Sequence, residues 1–250
     1  MRLTLLGTGD ARQVPVYNCD CVACACARLQ PQRRRGPCCA LIECGAQRWL
    51  IDSGLTDLAE RFAPHSLSGI LQTHYHADHA QGLLQLRWGQ GLVIPVHGPA
   101  DPEGLADLYK HPGILDFSRP FAAFERRTFG ELAVTALPLT HSKPTFGYLF
   151  EGQGRRLAYL TDTLGVPPDT AAHLQAGGPL DLLVLDCSTA PQPQAPRNHN
   201  DLTRALQVIE QLAPAEAVLT HIGHSFDAWL LDHPDALPAG VSLAFDGRVL

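Results

Sequence analysis

Short apolar runs closed by Gly, Pro, Asp or Thr recur along the chain. They predict strands at 3–6, 39–44, 48–52, 69–73, 93–97, 131–139, 146–150, 155–161, 181–186, 216–220 and 241–245. Between some of them the apolar positions change to helical spacing, over Thr56–Phe62, Asp78–Leu86, Pro168–Gln175 and Asn200–Leu212. In the last of these, Leu202, Leu206 and Ile209 fall on one face. Such a mixture reads as α/β, with sheets covered by helices. In that architecture the carboxyl ends of strands line a common edge, so residues distant in sequence converge there.

Four of the predicted strands end alike, in an apolar run, then Thr, then a metal-binding side chain. Leu71-Gln72-Thr73 runs into His74, Leu137-Pro138-Leu139-Thr140 into His141, Leu157-Ala158-Tyr159-Leu160-Thr161 into Asp162, and Ala217-Val218-Leu219-Thr220 into His221. The first ending continues as His74-Tyr75-His76-Ala77-Asp78-His79, three imidazoles and a carboxylate at the ligand density of two adjacent ions. His74 and His76, two apart, project the same way at a strand end, and Asp78 and His79 follow where a helix begins. The residues divide into His74, His76 and His141 for one ion and Asp78, His79 and His221 for the other, with Asp162 as the bridging carboxylate. His65, His97, His111, His173 and His233 lack such a context and are read as ordinary surface or core residues.

Composition narrows the class. A chain of 250 residues, 45% hydrophobic, can bury one large core, so a single domain over 1–250 is expected. The run Leu3–Leu6 is too short for a signal segment, and no stretch approaches the roughly 20 apolar residues of a membrane span, so a soluble, cytoplasmic protein is expected. Net charge −6 with a pI near 6.0 argues against a nucleic acid polymer, whose binding rests on many Lys and Arg contacts to phosphates. Arg33-Arg34-Arg35 reads as a solvated charge run.

A cysteine-rich loop at about 17–28 holds Cys19, Cys21, Cys24 and Cys26 within eight residues, too close to pair as unstrained disulfides. Thiolates at this spacing suit a tetrahedral structural zinc; the residues alone leave the fourth ligand open, with Cys26 available. Cys38, Cys39 and Cys187 read as packed thiols, and Cys44 has no partner in sequence. Lys143, two residues past His141, is placed to meet a phosphate oxygen, as is Arg197 with less support. His199, in the polar segment Pro196–Asp201, is not needed for either ion and is free to act as a general acid.

The His-x-His-x-Asp-His segment, with Leu6-Gly7-Thr8-Gly9 and Leu50-Ile51-Asp52-Ser53-Gly54, resembles the metallo-β-lactamase superfamily over the whole chain. That resemblance implies a four-layer αβ/βα sandwich with a dinuclear site at the sheet edges, and Asp52 as a carboxylate orienting a ligand histidine. Lys110–Ser118, Leu139–Tyr148, Pro196–Leu202 and Leu219–Trp229 together look like one family within it, the phosphoribosyl cyclic phosphodiesterases of the carbon–phosphorus lyase pathway for phosphonate use. The resemblance implies hydrolysis of 5-phosphoribosyl 1,2-cyclic phosphate to ribose 1,5-bisphosphate, with some action on 2′,3′-cyclic nucleotides. It further implies two catalytic divalent metals (manganese, with zinc or nickel as substitutes), a zinc held by Cys19, Cys21, Cys24 and His224, Asp78 and His199 among the catalytic residues, and a homodimer. Cys26 departs from the family pattern. Two rivals share the fold: a transfer-RNA 3′-processing endonuclease, whose long substrate-gripping arm has no room between His141 and Asp162 here, and a non-catalytic carrier with a cysteine zinc loop, in which catalytic ligands are typically eroded.

Overall fold

The computed structural model describes residues 1–194 and 196–250. Two sheets face each other. The first comprises β1 (Arg2–Gly7), β2 (Cys39–Cys44), β3 (Gln47–Ile51), β4 (Gly69–Leu71), β5 (Ile94–His97) and β6 (Leu115–Asp116), in that spatial order. β1, β2 and β3 pair antiparallel, and β3 to β6 parallel. The second comprises β7 (Arg126–Phe129), β8 (Leu132–Pro138), β9 (Phe146–Gly152), β10 (Arg155–Leu160), β11 (Leu182–Asp186), β12 (Glu216–Thr220) and β13 (Val241–Leu243), also in chain order across the sheet. It is antiparallel from β7 to β10 and parallel from β10 to β13.

Strands buried on both faces read as near-continuous apolar runs, and successive residues serve different layers. Leu157 and Tyr159 of β10, with Leu182 and Val184 of β11, enter the core between the sheets beside Leu3, Leu5, Ile42 and Trp49. Ala158, Leu160, Leu183 and Leu185 point the other way. They pack on α5 (Pro168–Ala176), α6 (Leu202–Leu212) and α7 (His224–Asp232) through Leu174, Ala205, Val208 and Phe226. On the far side, Leu50, Ile70 and Val96 pack against Leu58 of α2 (Leu58–Arg61) and Leu83 of α4 (Leu83–Leu86). The four layers are therefore helices, sheet, sheet, helices, the αβ/βα sandwich expected.

All eleven predicted strands are present, with ends displaced by up to two residues, and two more were not legible: the two-residue β6 and the edge strand β7. The helix expected over Asp78–Leu86 is two single turns, α3 (Ala77–Ala80) and α4, and that expected over Thr56–Phe62 shrinks to α2. The cysteine segment, expected as a loop, is largely a helix, α1 (Val22–Leu29), capped by the Cys21 sulfur accepting from the Cys24 amide. Arg35 corrects the reading of three solvated arginines: it is 7% exposed. Its guanidinium forks onto both oxygens of Asp227 at 2.7 and 2.9 Å and donates to Thr8 Oγ1 and the Ala244 carbonyl. A fully satisfied bidentate pair is what lets a guanidinium be buried. No helix among the described residues is long and apolar enough to cross a membrane.

Candidate metal centre

The ends of β4, β8, β10 and β12 open on one edge of the sandwich, and the residues that follow them meet there. Asp52, Asp162 and His221, just after β3, β10 and β12, take positive φ of 60°, 59° and 59°. This left-handed turn is uncommon outside glycine and concentrates at functional sites. His74 Nε2 and His141 Nε2 both approach His76 Nδ1, at 3.0 and 3.1 Å, and Asp162 Oδ2 lies 3.6 Å from each of the first two. The other Asp162 oxygen, Oδ1, faces His79 Nε2 at 3.1 Å and His221 Nε2 at 3.4 Å. Asp78 Oδ2 closes that second group, 3.3 Å from His79 Nε2 and 3.6 Å from His221 Nε2. The two oxygens of one carboxylate thus address two clusters of donors.

Hydrogen bonds on the far side of each ring fix which nitrogen is bare. Thr73 Oγ1 gives its proton to Asp52 and so accepts from His74 Nδ1 at 3.0 Å. His79 Nδ1 donates to Asp52 Oδ2 at 2.7 Å. Ser188 Oγ donates to Asp186 Oδ1 and accepts from His221 Nδ1 at 2.9 Å. His141 Nδ1 donates to the Asn198 carbonyl at 3.3 Å. In its neutral form each of these four rings therefore presents an unprotonated Nε2 to the centre. His79 Nε2 and His221 Nε2 are fully buried and have no hydrogen-bond partner among the described residues. Buried polar nitrogens left this way are costly unless something electropositive meets them. Electrostatics agree. Burial works against a charge on His221, yet the Asp162 carboxylate outweighs it and raises the imidazole to about 9. Burial likewise opposes ionisation of Asp162, but His221, His79 and His74 hold its carboxyl well below the usual range. A proton taken up so readily marks where a cation belongs, and the donor set fits two divalent ions of the His and carboxylate type.

Cys19, Cys21, Cys24 and His224 form a separate cluster: the three sulfurs lie 3.5, 3.3 and 3.6 Å from His224 Nδ1. The S···N edge of a tetrahedron with ordinary zinc bond lengths is about 3.5 Å, so the four atoms fit one zinc. Burial and the neighbouring Cys21 and Cys19 sulfurs push the Cys24 thiol up to about 12. Cys26, the other candidate, lies outside this cluster and lines a groove between α1 and α7. All eight cysteines are free; Cys38, Cys39 and Cys187 are buried as expected.

His199 stands beside the centre without needing to join it. Its ring stacks on His221 with centroids 4.7 Å apart, and its Nδ1 binds Asp186 Oδ2 at 2.9 Å. Burial would lower its pKa, but the Asp186 charge and hydrogen bond win and raise it. His199 and Arg197 line a cavity of about 390 Å³ that reaches His221. Lys143 does not point there freely: its ammonium is held by Asp101 at 3.0 Å and Glu103 at 3.3 Å. Two carboxylates thus share the charge that was expected to meet a substrate phosphate. Asp186 and Ser188 went unnoticed in the sequence, although Leu182–Asp186 ends an apolar run in a carboxylate just as the Asp162 strand does.

A family model described as a beta-lactamase superfamily domain matches residues 41–222. The chain is 29% identical over 199 residues to ribonuclease Z of Methanosarcina acetivorans, an alignment covering 72% of this chain but only 59% of that protein. It is 26% identical over 305 residues to coenzyme PQQ synthesis protein B of Methylobacterium radiotolerans, covering 100% and 99% of the two. A solved structure of a new diphosphatase from the PhnP family superposes with a TM-score of 0.82 at 27% identity, covering 100% of this chain and 96% of that one.

Proposed function

The chain belongs to the metallo-β-lactamase superfamily, and from that premise we propose that it is a metal-dependent hydrolase of small phosphodiesters, acting on 5-phosphoribosyl 1,2-cyclic phosphate to give ribose 1,5-bisphosphate. The observation that carries this reading is the combination of a complete donor set around Asp162 with a neighbouring histidine, His199, whose Nδ1 is engaged by Asp186. His74, His76, His141 and Asp162 would hold one divalent ion, and Asp78, His79, His221 and Asp162 the other. Such a pair supplies Lewis acidity toward phosphoryl oxygens and acidifies water into a nucleophile. The chain does the rest. Asp52 and Ser188 keep ligand rings in the tautomer with a bare Nε2. Asp186 favours the protonated form of His199, which would leave a proton-bearing Nε2 to serve the departing sugar oxygen. Arg197, on the cavity wall, is placed to meet a substrate oxyanion. Manganese is the expected catalytic metal, zinc or nickel substituting, with a third, structural zinc at the cysteine cluster and a homodimer as the assembly.

Two alternatives are less well supported. Between His141 and Asp162 the chain forms only the β9–β10 hairpin, too short for an RNA-gripping arm, which weighs against transfer-RNA processing. An intact donor set weighs against a non-catalytic carrier. A second hydrolytic reading has a specific observation behind it: the similar PhnP-family structure is that of a diphosphatase, so a phosphoanhydride is the competing scissile bond. A side-by-side assay with defined metals separates them. Cleavage of the cyclic ester well ahead of a nucleoside diphosphate, a linear diester and precursor transfer RNA is expected; preference for the anhydride or the RNA would overturn the proposal.

A further inference from the structure

The cavity beside His199 has a second charged wall, formed by a segment that supplies no metal ligand. Asp10 Oδ2 accepts from Arg12 Nε at 3.1 Å and Nη2 at 2.8 Å, while Asp10 Oδ1 accepts the Arg12 amide. The Asp10 side chain is 7% exposed and the Arg12 side chain 54% exposed, and both residues line the same cavity as His199 and His221. The carboxylate is the recessed member of the pair and the guanidinium the open one. Nη1 and one Nη2 hydrogen make no protein hydrogen bond among the described residues, leaving a fork of donors for an anion.

The placement is rigid. The Asp10 amide bonds the Ile222 carbonyl and the Ile222 amide bonds the Thr8 carbonyl, so this segment is laddered to the residue after the ligand His221. Gly223 completes the fit: a Cβ there would meet Asp10 Oδ2 at 2.9 Å and the Ser188 carbonyl at 2.7 Å. The backbone that carries Arg12 is therefore tied to the metal centre and Asp10 directs its guanidinium, beside a cavity large enough for a sugar phosphate.

We propose that Arg12, held by Asp10, is a specificity residue that binds a second anionic group of the substrate, a phosphomonoester distal to the bond being cleaved. This deepens the functional reading and rests on it. The test compares ribose 1,2-cyclic phosphate with and without a 5-phosphate, in the wild type, Arg12→Ala and Arg12→Lys, all metal-loaded. Arg12→Ala should raise KM for the 5-phosphorylated ester about 10- to 100-fold, at least tenfold more than for the ester lacking it, with kcat changed far less. Arg12→Lys should recover part of that loss. A role confined to neutralising Asp10 would instead weaken both esters equally and lower the melting temperature, and that result overturns the inference. Calorimetric binding of ribose 5-phosphate separates its failure from that of the functional reading. If the wild type cleaves neither ester yet binds ribose 5-phosphate in an Arg12-dependent manner, the cyclic-ester reading falls and the anion site stands; Arg12-independent binding removes the anion site.

Discussion

His199 and Asp186 concentrate the chemistry that belongs to single residues. Replacing His199 by Ala should lower turnover by roughly 10²–10⁴ for esters with poor leaving groups, and much less for an activated aryl phosphodiester, whose leaving group needs no proton. Equal losses on both, or loss of metal, would contradict the role. The sign of the pH effect follows from the same pair. The general acid acts while protonated, so its contribution is present below the His199 pKa and disappears as pH rises through it. Asp186 raises that pKa, and Asp186→Asn should move the alkaline limb of kcat/KM to lower pH at saturating metal. A limb that stays in place would show that Asp186 does not tune the acid. The residues of the two donor clusters were legible because each closes an apolar run through Thr or sits in one dense segment. Asp186 also closes an apolar run, but without that Thr, and its bonds to Ser188 and His199 leave no spacing in the sequence. Arg35 misled for a related reason: its partner Asp227 is 192 positions away, and nothing local announces burial.

At the scale of elements, close packing sets the position of the ligand helix. A Cβ on Gly54 would lie 1.7 Å from the Asp78 carbonyl oxygen and 2.8 Å from Pro37 Cβ, so Gly54→Ala must push α3 aside. Overpacking of this kind costs about 1–3 kcal/mol, and the displaced Asp78 and His79 should bind their ion more weakly. Calorimetry and metal analysis together check this; unchanged stability with full metal content would contradict it. The cysteine cluster joins the start of α1 to the start of α7 through His224. Cys21→Ser should release one zinc and lower the melting temperature by several degrees, at about 2–4 °C per kcal/mol for a chain of this size, while activity per folded molecule changes far less. Unchanged zinc content would show that the thiols are not ligands. α1 escaped the sequence reading because its cysteines pointed to metal chemistry before helical spacing, and β7 because Arg126-Arg127-Thr128-Phe129 is an edge strand without a continuous apolar run.

For the molecule as a whole, two sheets buried on both faces explain why the fold was readable from short apolar runs alone, and four strand ends also located the site. Selectivity is a property of this scale too. A net charge of −6, a short β9–β10 hairpin and a cavity of about 390 Å³ suit a small anionic ester better than a polymer. Elemental metal analysis of the wild type beside Asp162→Ala tests the paired clusters around Asp162 most directly. The wild type should carry three ions per chain; the variant should keep the cysteine-held zinc and lose or greatly weaken the other two. Three fully occupied ions in Asp162→Ala, or a single ion in the wild type after loading with manganese, would contradict a dinuclear centre bridged by that carboxylate.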